Sequence, residues 1–350
     1  MTDIDLYVTV DELQVVLNLL GPTVHVDFPA YGQELLQARQ EADGYRLIQT
    51  ASAEKINTCF DRFKHDEFFD YQSFVECFLA SGINAYLNID EIRKEIQLKQ
   101  QALAGCKELF FVLDTNLLYD RCISMYHLVP RDHVFLVDTV QHEILHHLNY
   151  KYDNKGLNRV HMVLREHSDM ADAMVDGVIR EWQNRNKKET RIARNMALQE
   201  YNMLRKYGKE IPAIKENAKT SRENDEIIAE TVRDFQQQSP YNEFLLLTAD
   251  MDMKDVCDMI GVDCLVLQKP RKITSKHCTT TSFLQLLYSL TVLTGFVKLN
   301  STLLFSEFQG GNQRFPLKIR LLNESDVDLV NHHINLCRNL QDIEKQFGGK

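Results

Sequence analysis

At 350 residues and 44% hydrophobic content, the chain is long enough for two or three compact units and reads as a folded globular protein. Its formal charge of −10 argues against a general nucleic-acid coat protein, although net charge hides local distribution. No apolar run reaches the ~18 residues of a membrane span, and the opening stretch, with Asp3, Asp5, Asp11 and Glu12, lacks a basic start followed by an apolar core.

Taken in chain order, the first hundred residues read as helix-rich: Asp11 is placed to cap a helix through Leu20, and 53–63 and 71–79 are amphipathic. No chemistry attaches to this part. A polar helical stretch, 88–105, then gives way to ELFFVLD (108–114), a continuous apolar run of strand length that ends in an acid. Such a run suits a central parallel strand buried on both faces. The texture returns in HVFLVD (133–138), FLLLTAD (244–250) and CLVLQ (264–268), with helical segments between. That alternation predicts an α/β domain over 108–268 with a central parallel sheet flanked by helices. Its length reflects a helical insertion at about 150–220, and 270–350 reads as a small α+β C-terminal region around the turn QGGNQ. The eight cysteines form no CxxC pair, and most sit among apolar neighbours, as reduced thiols of a cytoplasmic protein do.

In open parallel sheets ligands bind beyond the carboxyl ends of the strands, where acids from several strands converge. Two predicted strands end in acids, Asp114 and Asp250. Glu143 falls on the helix after 133–138, and Asp225 near the start of a helix whose apolar positions are Ile227, Ile228, Val232 and Phe235. Four acids at one end of one sheet repel each other unless cations sit among them, and oxygen donors suit Mg2+ or Mn2+. Such a centre fits two-metal phosphodiester hydrolysis, with Asn116 and Thr248 as supporting hydrogen-bonding groups.

FVLDTN, TVQHEILHHL, SRENDEIIAE and LLLTADMDM, in that order, resemble the four acidic motifs of PIN-domain ribonucleases. The first and last are the specific ones. The resemblance covers about 160 residues, under half of the chain. It implies Asp114, Glu143, Asp225 and Asp250 as catalytic and metal-site acids, Asp252 as an auxiliary acid, and Asn116 and Thr248 in support. It also implies a hydrolase acting as an endoribonuclease on single-stranded RNA, with RNA favoured over DNA, and is compatible with a homo-oligomer. The span from Glu143 to Asp225 is longer than a minimal family member needs. A PIN-like fold kept as a non-catalytic RNA-binding module is the alternative from another class.

Two further features need weighing. His142, Glu143 and His146 spell HExxH, the helix pattern of zinc metallopeptidases, with Glu166 at a spacing that suits a third ligand. That reading leaves Asp114 and Asp250 without a role. Between Arg180 and Arg222, twelve basic residues stand against five acidic ones. The stretch is either a solvated helical face or a phosphate cradle formed by Arg185, Lys187, Lys188, Arg191 and Arg194.

Overall fold

The computed structural model describes residues 5–183, 185–215, 220–307, 316–322 and 327–347. The QGGNQ turn, and Glu216 and Lys219 of the basic stretch, lie outside the described residues. Two compact units share the chain, one drawn from 1–77, 151–188 and 273–350, the other from 78–150 and 189–272.

The first unit starts with β1 (Asp5–Val8), α1 (Leu13–Leu20), β2 (Thr23–Phe28), β3 (Gln33–Glu41), β4 (Gly44–Thr50), α2 (Ala53–Phe63) and α3 (Tyr71–Ala80). The chain then supplies the second unit with α4 (Ile89–Leu103), β5 (Glu108–Leu113), α5 (Thr115–Tyr119), α6 (Cys122–Tyr126), β6 (Val134–Val137) and α7 (Asp138–His147). It returns to the first for α8 (Asn154–His167) and α9 (Asp172–Trp182). The second is completed by α10 (Lys188–Ile192), a π-helical turn (Ala193–Ala197), α11 (Leu198–Arg205), β7 (Lys209–Ile211), α12 (Ser221–Gln238), β8 (Asn242–Thr248), α13 (Met251–Ile260) and β9 (Cys264–Val266). Last come β10 (His277–Cys278), α14 (Thr280–Thr294), β11 (Phe296–Leu299), β12 (Thr302–Ser306), β13 (Leu317–Leu321) and α15 (Val327–Phe347) of the first unit. Among the described residues no helix is long and apolar enough to cross a membrane, and all eight cysteines are free thiols.

In the second unit the five strands form a parallel sheet in the order β7-β6-β5-β8-β9. The apolar runs of β5, β6 and β8 are buried, as helices on both faces require. Phe110, Phe135 and Phe244 meet edge to face or stacked at 5.1–5.8 Å, and Phe235 of α12 closes over Phe244 at 5.2 Å. The expected α/β architecture with a central parallel sheet is therefore present.

The first unit is an antiparallel sheet of eight described strands, β1-β13-β12-β11-β2-β3-β4-β10. Its core helix is α14, in which every residue from Phe283 to Thr294 is buried except Gln285. Two glycines are sterically required. A Cβ on Gly295 (φ +83°) would lie 2.8 Å from the Trp182 ring, and one on Gly44 (φ +153°) would lie 2.2 Å from the Cys278 carbonyl oxygen, blocking the β4–β10 pairing.

Three expectations change here. Residues 1–100 do hold α1–α4, but also β1–β4; Val24, Val26 and Phe28 point inward while Thr23, His25 and Asp27 face outward or the rim. The C-terminal region is no separate appendage, because β11 pairs with β2 and β13 with β1. The insertion at 150–220 divides: 151–188 belongs to the first unit, while the residues after it return and add β7 to the parallel sheet. Pairing partners hundreds of residues apart leave no trace in local periodicity.

A charge network ties β1, β13 and α9. Glu181 accepts from Lys318 at 2.7 Å, Arg320 at 2.5 Å and Arg185 at 2.9 Å, and Asp5 accepts from Lys318 and Arg320 at 2.9 Å. Burial pushes the Glu181 carboxyl up, but the hydrogen bonds and charges of Lys318 and Arg320 outweigh it and hold the group below its usual value of 4.5. A depressed folded pKa stabilises the fold above the unfolded value, and the gain is lost as pH falls through the folded one. Glu181→Gln is expected to cost about 2 kcal/mol at pH 7, because it leaves Lys318 and Arg320 with Asp5 as their one remaining carboxylate partner. Urea unfolding of both proteins down a pH series should show the difference shrinking below pH 4.5; a difference independent of pH would refute the assignment.

Candidate active site

Chain order in the parallel sheet reverses between β5 and β8. At such a point the helices following the two strands leave on opposite sides and open a crevice beyond the carboxyl ends. Asp114 directly follows β5, and Asp250 lies just beyond β8. Each caps the helix after it: an Asp114 oxygen accepts the Thr115 N–H at 2.6 Å, and an Asp250 oxygen accepts the Asp252 N–H at 2.9 Å. The strand-to-helix turns thus place both acids beyond the carboxyl ends of β5 and β8.

Asp114 is 2% exposed, which makes its charge expensive unless it is compensated. The Thr248 hydroxyl donates to its Oδ2 at 2.7 Å and the Asn116 amide to the same oxygen at 3.2 Å. Thr248 also accepts the Asp250 N–H at 2.9 Å, so one hydroxyl joins the ends of both strands. Glu143, on α7, receives the Thr115 hydroxyl on Oε2 and the Asn224 amide on Oε1 at 3.0 Å. Asn224 precedes Asp225 near the start of α12. Thr115 and Asn224 are positioning groups that the acid motifs alone do not single out, although each is the immediate neighbour of an acid in the set.

The acids sense one another. Asp225 is pushed up to about 7, first by burial and then by the negative charges of Asp114, Glu143, Asp250 and Asp252. Asp114 is pushed up to about 6 by burial and by Glu143, against the hydrogen bonds from Thr248, Thr115 and Asn116. The Tyr119 phenol is raised to about 12 by burial and the Glu143 and Glu189 carboxylates. Among the described residues no group of three or more His, Cys, Asp or Glu side chains is arranged to hold a metal ion. The donor set is all oxygen, and its excess of negative charge is what a hard divalent cation relieves; such ions keep several waters, so a partial protein shell suits them.

The HExxH helix is differently disposed. Glu143 accepts from Thr115 and Asn224, and His146 Nε2 lies 3.0 Å from the Tyr150 hydroxyl. Glu166 is exposed beside His167 on α8, in the first unit. Asp120 is 3% exposed, receives the Tyr86 hydroxyl at 2.9 Å and pairs with Lys269 at 3.0 Å.

The basic stretch is divided between the units. Arg185 donates to the Glu181 carboxylate and the Glu307 carbonyl at 2.9 Å, and Lys188 donates to the Phe68 carbonyl at 2.6 Å. Arg191 is 3% exposed, whereas Lys187 is half-buried and Arg194 exposed. Three of the five residues expected to form a cradle, Arg185, Lys188 and Arg191, are thus engaged or buried within the fold. Long basic side chains in a helical stretch read as solvated, but their stems and heads also satisfy interior carbonyls and acids. Trp182 and Tyr201 are buried, the former stacked on Tyr152 at 5.9 Å.

No curated protein matches the chain. Residues 111–268 match a family model described as PIN domain, a span that begins inside β5, ends just after β9 and contains Asp114, Glu143, Asp225 and Asp250. The chain therefore carries a PIN domain, a family whose members are in general metal-dependent nucleases.

Proposed function

We propose that this protein is an endoribonuclease that hydrolyses single-stranded RNA at an acidic two-metal centre in its PIN domain. The observation that carries the reading is the gathering of acids at the switch point on neutral donors alone, so that Asp225 feels four other carboxylates. Asp114, Glu143, Asp225 and Asp250, with Asp252 beside them, would hold Mg2+ or Mn2+. Bound there, the cations supply Lewis acidity toward a phosphodiester and its attacking water. Thr248 and Asn116 fix Asp114, while Thr115 and Asn224 each take one Glu143 oxygen and set its plane. Free thiols suit a reducing, cytoplasmic setting.

Labelled single-stranded RNA is expected to be cut with Mg2+ or Mn2+ and left intact in chelator or by Asp114→Asn or Asp250→Asn. Loss of about two or more orders of magnitude in rate is the expected size, as for removal of a metal-holding or charge-stabilising group. Wild-type-like cutting by either variant would remove these residues from the site. Cutting by none of the proteins would favour a binding module.

A second expectation concerns stability. A raised carboxyl pKa stabilises the fold below the unfolded value of 3.8 and is a burden once pH passes the folded value, about 7. Asp225→Asn should therefore melt a few degrees above the wild type at pH 8 without metal and lose that advantage toward pH 4. Mn2+ should raise the wild-type melting temperature and leave the variant nearly unmoved; equal shifts would exclude Asp225 from the centre.

Thr115→Val and Asn224→Leu test the positioning groups. Each is expected to lower kcat about tenfold, the usual scale for a group that orients a metal ligand, and to weaken Mn2+ binding in calorimetry. Unchanged Mn2+ affinity in both would reduce these contacts to packing.

A further inference from the structure

The outer face of the first unit's sheet carries two arginines, Arg39 and Arg46, that find no ion-pair partner among the described residues. Register places Thr23 opposite Arg39, Arg39 opposite Arg46, and Arg46 opposite His277, so β2, β3, β4 and β10 present these four side by side. Directly opposed like charges destabilise an antiparallel pair. Neighbouring strands lie about 5 Å apart, so charges on adjacent strands fall within the ~8 Å screening length of physiological salt and their fields add.

Lys276 joins them. Its carbonyl accepts the Leu47 N–H at 2.8 Å, which pins the backbone before β10 against β4. Arg39, Arg46 and Lys276, with Glu41, Leu47 and Ile48, line a cleft of about 350 Å³. Among the described residues the side chains of Arg39, Arg46 and Lys276 have no hydrogen-bonding or ion-pair partner. The one acid of the cleft, Glu41, lies 3.5 Å from His277. Three unneutralised cations in one cleft stand out in a chain of net charge −10, which as a whole repels polyanions.

The geometry points to a phosphate-binding face on β3, β4 and the β10 approach that docks the backbone of single-stranded RNA, with Arg39 and Arg46 as its paired donors. Two adjacent guanidiniums match phosphate oxygens by paired N–H donors, and the anion removes the cross-strand repulsion. Gln37, opposite Gln49 and His25, extends the face with uncharged polar groups. The inference rests on the nuclease reading only for the kind of polyanion that occupies the site.

The test measures binding of the full chain to labelled oligouridylate in chelator, so no strand is cut whether or not the PIN domain is active. Arg39→Gln with Arg46→Gln is expected to weaken binding about tenfold or more and to lower the slope of log affinity against log salt by about 1.4, two contacts at about 0.7 each. Arg46→Glu places a carboxylate opposite Arg39 and changes the charge of the face as much as the double variant does; it should weaken binding to a similar extent while melting no lower than the wild type. Unchanged affinity and slope in both variants would overturn the inference, as would lost binding accompanied by a lowered melting temperature in both. Co-flotation with phosphatidylserine vesicles that the double variant abolishes, with RNA binding unmoved, would assign the face to lipid headgroups and overturn it too. Failure of the nuclease reading shows separately: a wild type that cuts nothing with Mg2+ or Mn2+ but whose RNA binding still falls in these variants leaves this face standing.

Discussion

The hydroxyl of Thr248 is the joint between the two strand ends that carry Asp114 and Asp250. It donates to a carboxylate at the end of one strand and accepts the backbone N–H beyond the end of the next. Around it, Asn116, Thr115 and Asn224 extend a chain of neutral donors through Asp114 and Glu143 to the start of α12. Neutral donors hold acids in place without cancelling their charge. An arginine in the same positions would stabilise the fold better and leave less negative potential for a cation. The centre is thus built from groups that orient charge and do not quench it.

The first unit handles charge in the opposite way. Asp5 and Glu181 are met by Lys318, Arg320 and Arg185, a set in which each carboxylate has at least two cationic partners. That compensated network contrasts with the acid cluster, held by neutral donors, and with Arg39 and Arg46, which have no ion-pair partner among the described residues. Burial alone does not make that distinction: Asp120 is as buried as Asp114, but it has Lys269 and Tyr86.

The parallel sheet was legible because β5, β6, β8 and β9 are continuous apolar runs, and buried parallel strands need nothing else. β7 has no such run: Lys209 and Glu210 are exposed and only Ile211 is buried, so it reads as a basic helical tail. In the N-terminal part Val24, Val26 and Phe28 carry a period-two signal, while β3 blurs it with Leu35 and Leu36 both buried. The acids could be named because strands end in them. Thr115 and Asn224 could not be ranked, since a hydroxyl or amide beside an acid is common and only the fold brings α5, α7 and α12 to one point. In the basic stretch composition counts charges and says nothing of what each one touches, such as the Phe68 carbonyl that Lys188 reaches.

The division of the chain sets an order of assembly. The parallel sheet can close once Val266 has left the ribosome, but the eight-stranded sheet, begun at Asp5, waits for Leu321. β2 in particular has β3 beside it early and receives β11 only after a further couple of hundred residues have been made, which takes on the order of tens of seconds at cellular rates of synthesis. Through that interval the β2–β4 meander offers a bare strand edge to any other chain nearby. The strands of the parallel sheet are thus all made before the antiparallel sheet receives its last ones.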